Sequence, residues 1–306
     1  MQKPLPPATW PALSPPANPA FPYTFFADAA AHPFQPGDHS FNLRNAWWLM
    51  DAAFLSYSGE HVIRDTWKRV VPAIDVRYFA GRTTECYVAA SPDWIILAWR
   101  GTQVDQFWPS VLDWLSDARF FPTPDADGHL VHSGFLEATG QVWGDVRSHI
   151  ATLQQTTRRP LWITGHSLGA ALATVATNRC SHDQVLGLLG TYTYGSPRVG
   201  DPGFGHQIST PLFRFQNNTD LVTHLPLGLI YEHVGEREFI DAGGHVHRHL
   251  AMPDWLIPVD PRVVGQLRHL LTGRLNALPA VPGFLADHAP INYATLIWNV
   301  YDRTRA

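Results

Sequence analysis

Residues 160–174 read PLWITGHSLGAALAT, and the punctuation of that stretch decides the fold. The apolar run at 161–164 has the length of a buried strand. It leads directly into Gly165-His166-Ser167-Leu168-Gly169, and a helix of small residues, 170–174, follows. A serine centred in Gly-x-Ser-x-Gly between strand and helix sits on a turn so tight that its backbone is strained, and side chains at either glycine would collide with the flanking elements. The hydroxyl is held outward, and the start of the helix turns backbone N–H groups toward any oxyanion forming beside it. Ser167 is therefore the expected nucleophile. His166, next to it on the turn, points elsewhere and is expected to pack.

Further strands are read at WIILAW (94–99), TYTYG (191–195) and LFRFQ (212–216), with helices at 133–155 and 169–178. Strands alternating with helices predict a mostly parallel sheet flanked by helices, an α/β architecture whose ligands bind beyond the carboxyl ends of the strands. Between 41 and 57, Ala46, Trp47, Leu49, Met50, Ala53, Phe54 and Tyr57 recur at spacings of three and four. That is the signal of an amphipathic helix covering one face of the sheet. Eight of the 26 prolines fall in the first 22 residues, so 1–22 is expected to be an extended arm on the surface and 23–306 a single domain.

A serine hydroxyl needs a histidine to take its proton and a carboxylate to orient that histidine, in the chain order Ser, acid, His on this architecture. Asp220 lies just past the strand 212–216, where the acid belongs. Asp201, Asp241 and Asp254 compete, Asp201 reading as a loop-fixing carboxylate and Asp241 following the last strand, 238–240, of a hairpin expected at 231–240. Candidate bases after Asp220 are His224, His233, His245, His247, His249, His269 and His288. His288 is favoured by position, in a loop just before a terminal apolar helix. The run His245-x-His247-x-His249 has the alternation of a metal-binding strand, but with no cysteine or acidic trio beside it a solvated loop is expected and no metal is assigned.

Composition excludes several classes of function. The formal net charge is −4, from 22 basic against 26 acidic residues, which is not the electrostatic footprint of a nucleic-acid binder. No apolar run approaches the roughly 20 residues of a membrane-spanning helix. Prolines break any signal-peptide core at the N-terminus, so the expected location is cytoplasmic, or outside by a route the sequence does not display. The two cysteines, Cys86 and Cys180, are expected to be free thiols. Twelve tryptophans supply apolar area for a large core and for an apolar groove.

Six segments together resemble the class 3 lipases, the family of the filamentous-fungal triacylglycerol lipases and of many bacterial relatives. They are AWRGT (98–102), VHSGF (131–135), ITGHSLGAALA (163–173), YGSPRVGD (194–201), NNTDLVTHLP (217–226) and, more weakly, DHAPINY (287–293). The resemblance implies the α/β-hydrolase fold, with Ser167, Asp220 and His288 as nucleophile, acid and base. It further implies an oxyanion hole of Thr102 and the Leu168 N–H, with Asp117 bracing the first loop. Residues 103–121 take the position of the family's short lid. Phe107 and Trp108 of that segment, with Val222 and Leu225 beyond Asp220, are the expected substrate contacts. The stretch between Asp220 and His288 is longer and richer in proline than in the fungal enzymes, with a further helix expected near 261–278. The scarcity of cysteine makes the bacterial-type members the better comparison.

The expected function is ester hydrolysis through an acyl-enzyme, with no metal or organic cofactor and a lipid or small-molecule ester as substrate, taken at an oil–water interface if the lid operates. Triacylglycerol lipase leads. A feruloyl or short-chain carboxylesterase and a phospholipase A1 use the same machinery. A serine peptidase or acyltransferase is the alternative chemistry on this fold. A non-catalytic binding module would lack a triad member or the oxyanion threonine, and every part has a candidate here.

Overall fold

The computed structural model describes residues 2–17, 21–101, 121–226, 230–248 and 281–305. Its strands are β1 (Asp75–Ala80), β2 (Glu85–Ala90), β3 (Ile95–Trp99), β4 (Pro122–Pro124), β5 (Leu130–His132), β6 (Leu161–His166), β7 (Leu188–Tyr194), β8 (Leu212–Asn217), β9 (Glu236–Ile240) and β10 (Val246–Arg248). Eight of them form one sheet in the order β1-β2-β3-β6-β7-β8-β9-β10, and β4 and β5 form a separate hairpin. Pairing is parallel from β3 through β9. It is antiparallel at both margins, β1-β2-β3 and β9-β10. This is the mostly parallel central sheet of an α/β hydrolase.

Parallel strands buried on both faces are apolar at nearly every position, and β3 and β6 are buried throughout. Alternate side chains sort into two cores. Tyr87, Ala89, Ile96, Ala98, Trp162, Tyr192, Tyr194, Phe213 and Phe215 face one side. Val88, Ile95, Leu97, Trp99, Leu161 and Ile163 face the other. The first side is covered by α1 (Leu43–Leu55) and, among others, the C-terminal helix Pro290–Thr304. Between Leu55 and that terminal helix run α2 (Glu60–Val70), α3 (Ser133–Thr156) and α4 (Leu168–Ser181), which makes Pro290–Thr304 α5. Helices α3 and α4 cover the second side.

Helix α1 departs from the expected amphipathic cover, because every residue from Asn45 to Leu55 is buried. The reason is its position between the sheet and a second layer made by α5 and the N-terminal residues. Six tryptophans, Trp47, Trp48, Trp67, Trp94, Trp162 and Trp298, lie in this one core. Phe34 has Trp48, Trp94 and Trp162 around it at centroid distances of 5.9, 5.6 and 5.7 Å. Asp51, buried in the middle of α1, accepts from the Tyr23 hydroxyl at 2.7 Å and the Phe26 N–H at 2.5 Å, so its burial is compensated by hydrogen bonds.

The proline-rich arm is irregular and mostly exposed over residues 2–9, and it packs at its helical turn. Residues Trp10–Leu13 form a helical turn with Pro11 in its first turn, and Leu13 is 1% exposed. The backbone of Lys3 exchanges hydrogen bonds with the Asn299 side chain on α5, and Val281 N–H donates to Ala8. Cys86 and Cys180 are buried, unpaired thiols, whose ionisation burial opposes. Among the described residues no helix is long and apolar enough to cross a membrane.

The expected hairpin at 231–240 lies further along. Its strands are β9 and β10, and the turn falls at 241–245, where Asp241 Oδ1 accepts from the N–H groups of Gly243 and His245 and Gly244 takes φ 72°. An Asp-x-Gly-Gly turn supplies that chemistry, and residues before Glu236 do not.

Glu238 on β9 has a side chain only 1% exposed beside Arg248, and burial lifts its carboxyl to about 7 despite the guanidinium. Its folded-state affinity for a proton exceeds that of the unfolded chain, so the stability it contributes is present below about pH 4.5 and is lost as pH rises toward 7. Glu238→Gln should remove this slope and gain on the order of 1–3 kcal/mol relative to the native chain between pH 5 and pH 8. Denaturant unfolding at the two pH values checks this; parallel stability curves would contradict it.

Candidate active site

Ser167 stands between the end of β6 and the start of α4 with φ 60° and ψ −128°, a backbone conformation that L-residues rarely hold. The turn closes because its two glycines have no side chains. A Cβ at Gly165 would run into the Gly169 carbonyl, and one at Gly169 would meet the carbonyl of Trp99. The Ser167 N–H donates to Tyr194 on β7 at 3.0 Å, which ties the turn into the sheet. Leu168, the first residue of α4, has an N–H with no carbonyl one turn earlier to receive it.

The Ser167 hydroxyl lies 2.8 Å from His288 Nε2, and His288 Nδ1 lies 3.0 Å from both carboxylate oxygens of Asp220. A carboxylate only accepts, so Nδ1 carries the proton and Nε2 presents its lone pair to the Ser167 O–H. Asp220 and His288 are fully buried and Ser167 is 3% exposed. Asp220 comes from the loop after β8 and caps the 3-10 turn Leu221–His224 by accepting from Val222 N–H at 3.0 Å. His288 sits between the helical turn Gly283–Ala286 and α5, which begins at Pro290 in the first helical turn, where proline is favoured.

Three supports around this set were not read from the sequence. Tyr293 on α5 donates its hydroxyl to Asp220 Oδ2 at 2.7 Å and accepts from Asn217 N–H. Burial, reinforced by the charge of Asp220, keeps that phenol protonated and therefore a donor. Asp287 binds the acid's loop to the base's loop: its carboxylate accepts from Asn218 Nδ2, Thr219 N–H and the Thr219 hydroxyl, while Asn217 donates to its carbonyl. Gly195, just past β7, has φ 58°, and a Cβ there would lie 2.9 Å from Asp220 Oδ2 and 3.0 Å from His288 Nδ1. All three residues stand in the quoted motifs, but only the packing shows what they touch.

The competitors fall elsewhere. Asp201 caps the turn Pro202–His206 and accepts from Leu130 N–H, a loop-fixing role. Asp241 pairs with His245 and His247 on the exposed β9-β10 turn, where hydrogen bonding holds its carboxyl well below the usual range. The histidine run is thus partly strand and partly turn, its last member, His249, lying outside the described residues. No group of three metal-ligating side chains is found among the described residues. His233 lies with Nε2 2.7 Å from the Thr223 carbonyl and is not at the serine. Since the acceptor there is a carbonyl, Nε2 is the donor. Val222 is 2% exposed within the core on the α1 side, and Leu225 is half-buried. Thr102, Phe107, Trp108, Asp117, Asp254, His269, residues 103–120 of the lid segment and the helix expected at 261–278 lie outside the described residues, while Phe121, at the end of the lid segment, is exposed.

A nucleophile on a strained turn, a base with its lone pair aimed at it and a buried carboxylate behind the base are the parts of covalent acyl-transfer chemistry. Gly195→Ala should fold with a loss of about 1–2 kcal/mol from its positive φ. It should also lose at least about tenfold in ester turnover, because the methyl displaces the His288–Asp220 pair. Thermal unfolding beside kcat measures both; unchanged kcat would contradict the crowding.

The profile of the family described as Lipase (class 3) matches residues 96–229. A lipase of Rhizomucor miehei is 35% identical over 143 residues, which is 43% of this chain and 39% of that protein. Phospholipase A1-II 1 of Oryza sativa subsp. indica is 30% identical over 178 residues, 49% of this chain and 43% of that one. The chain therefore spans less than half the length of these relatives. The solved triacylglyceride lipase of Rhizomucor miehei superposes with TM-score 0.56 and 26% identity over 65% of this chain and 80% of its own. The stretch 96–229, which holds Ser167 and Asp220, is similar to the class 3 lipases, and the sheet built around it is that of an α/β hydrolase.

Proposed function

We propose that the protein hydrolyses carboxylic esters of lipids, acylglycerols first among them, through an acyl-enzyme on Ser167. The hydrogen-bonded string from Ser167 through His288 to Asp220 carries this reading. His288 Nε2 takes the Ser167 proton as Oγ attacks the ester carbonyl; the imidazolium that forms is stabilised by Asp220 and then protonates the leaving alcohol. Water, deprotonated by the same nitrogen, attacks the acyl-enzyme, and collapse of the second tetrahedral species frees the acid and Ser167. The Leu168 N–H at the start of α4 and Thr102 are assigned to the oxyanion. The assignment of Thr102 is supported by its neighbour Gly101, whose missing Cβ leaves room for the Tyr57 hydroxyl beside the His166 carbonyl, against the elbow itself. Leu225, half-buried beyond Asp220, and the apolar residues Phe107 and Trp108 are assigned to the acyl chain.

A lipid ester is favoured over a peptide or a soluble ester by the named activities of the relatives, a lipase and a phospholipase A1. The phospholipase relative makes hydrolysis of a phosphoglyceride acyl ester the second reading. Ser167→Ala and His288→Ala should each cost at least about 10³-fold in kcat while leaving thermal unfolding in place. Retained turnover in Ser167→Ala would overturn the assignment. Glycerol and p-nitrophenyl esters of rising acyl length, assayed below and above their solubility limits, should show a rise in rate once droplets form. A preference for short soluble esters without that rise would instead mark a carboxylesterase, and faster cleavage of dispersed phosphoglyceride would mark the phospholipase.

A further inference from the structure

His166 was expected to pack, and it does more than fill space. Its ring is completely buried, and both nitrogens are engaged. Nε2 lies 2.8 Å from the main-chain carbonyl of His288, and Nδ1 lies 2.9 Å from the Tyr57 hydroxyl. The carbonyl can only accept, so Nε2 carries the hydrogen; the neutral ring then offers a lone pair at Nδ1, and Tyr57 donates to it. Burial first, and the neighbouring His288 second, hold His166 well below its ordinary pKa, which keeps the ring neutral. The two imidazoles lie 4.8 Å apart, tilted by 34°, with the Tyr293 ring 5.6 Å from His166 on another side.

We propose that His166 is a positioning residue for the base, a neutral imidazole that fastens the His288 backbone to the nucleophile turn and is itself fixed by Tyr57. This rests on the reading of Ser167, His288 and Asp220 as the reacting set. The geometry explains why an imidazole serves here. One edge must donate to the His288 carbonyl, the opposite edge must accept from Tyr57, and the group must stay uncharged beside a ring that becomes cationic during acylation. Tyr57 completes the link to the opposite side of the site, because its hydroxyl occupies the space that a Cβ at Gly101 would fill, at the strand end that leads to Thr102. One string therefore runs from the end of β3 through Tyr57 and His166 to His288. The adjacency of His166 to Ser167 in sequence gives the string a fixed origin, so the loop before α5 is registered against the serine itself.

The test uses a soluble p-nitrophenyl ester and reads kcat and KM separately. His166→Met keeps volume and removes both hydrogen bonds; kcat should fall about 10–100-fold with KM changed by less than about threefold. His166→Gln returns an N–H near the Nε2 position and should recover kcat to within about threefold of the native chain. Tyr57→Phe should lower kcat about three- to tenfold in the native background and have no further effect in the His166→Gln background, because the coupling passes through the ring. An unchanged kcat in His166→Met, or an equal loss in His166→Met and His166→Gln, would overturn the proposal. Should His166→Met fail to fold, the two Tyr57→Phe comparisons decide: equal losses in both backgrounds would overturn it. Loss of the functional reading would show separately, as turnover surviving in Ser167→Ala.

Discussion

The positive φ of Ser167 costs about 1–3 kcal/mol wherever it occurs on an L-residue, and it persists only where surrounding structure leaves no alternative. Here the constraint is the approach of β6 and α4, which meet backbone to backbone across Gly165 and Gly169. Small residues extend the approach along α4, where Ala170, Ala171, Ala173 and Ala176 are all fully buried. Because β6 lies inside the parallel part of the sheet, the serine at its carboxyl end has β3 on one side and β7 and β8 on the other. Each neighbour supplies a component at the same end: Gly101 beyond β3, Gly195 beyond β7 and Asp220 beyond β8. The rule that ligands bind at the carboxyl ends of parallel strands has this origin, since every loop that can reach the serine leaves from there.

A second constraint is the burial of so many polar groups at one seam. Asp220, His288, His166, Tyr57 and Tyr293 are each at most 2% exposed. An unpaired buried polar group costs about 1–3 kcal/mol, whereas a satisfied one contributes about 1 kcal/mol net, so the seam is stable only if nearly every donor meets an acceptor. The contacts at the seam meet that condition. Asp220 receives His288, Tyr293 and the Val222 N–H, and Asp287 receives Thr219 and Asn218. The same accounting confers rigidity: rotating His288 would break its bonds to Ser167 and Asp220 together. Desolvation opposes charge on His166, while His288 is held between Ser167 and Asp220, so the two neighbouring imidazoles have different tasks.

Much of this was legible in the sequence. The strand at 94–99, the elbow and the helices at 133–155 and 169–178 were readable because each carries one unmixed signal: a fully apolar run, a glycine pair about a serine, or a long 3.6-residue period. Asp220 was readable because it follows a strand end. The strands β1 and β2 were not read, since DVRYFA and ECYVAA are only six residues long and each begins with a charged residue. Residues 2–9 of the arm are irregular and mostly exposed, in keeping with their proline density, whereas the burial of Leu13 and the tie of Lys3 to Asn299 depend on contacts far apart in sequence that no local signal declares. Tyr293, Asp287 and His166 were invisible as functional residues for a related reason: a tyrosine, an aspartate or a histidine at those positions declares no partner until the loops are folded together.

The central claim, that Ser167 is made nucleophilic by His288, is most directly tested by covalent trapping. Diethyl p-nitrophenyl phosphate should release one p-nitrophenol per chain, and peptide mass mapping should place a single diethyl phosphoryl group on Ser167, with labelling abolished in His288→Ala. Labelling at another residue, or equal labelling of Ser167 without His288, would contradict the account.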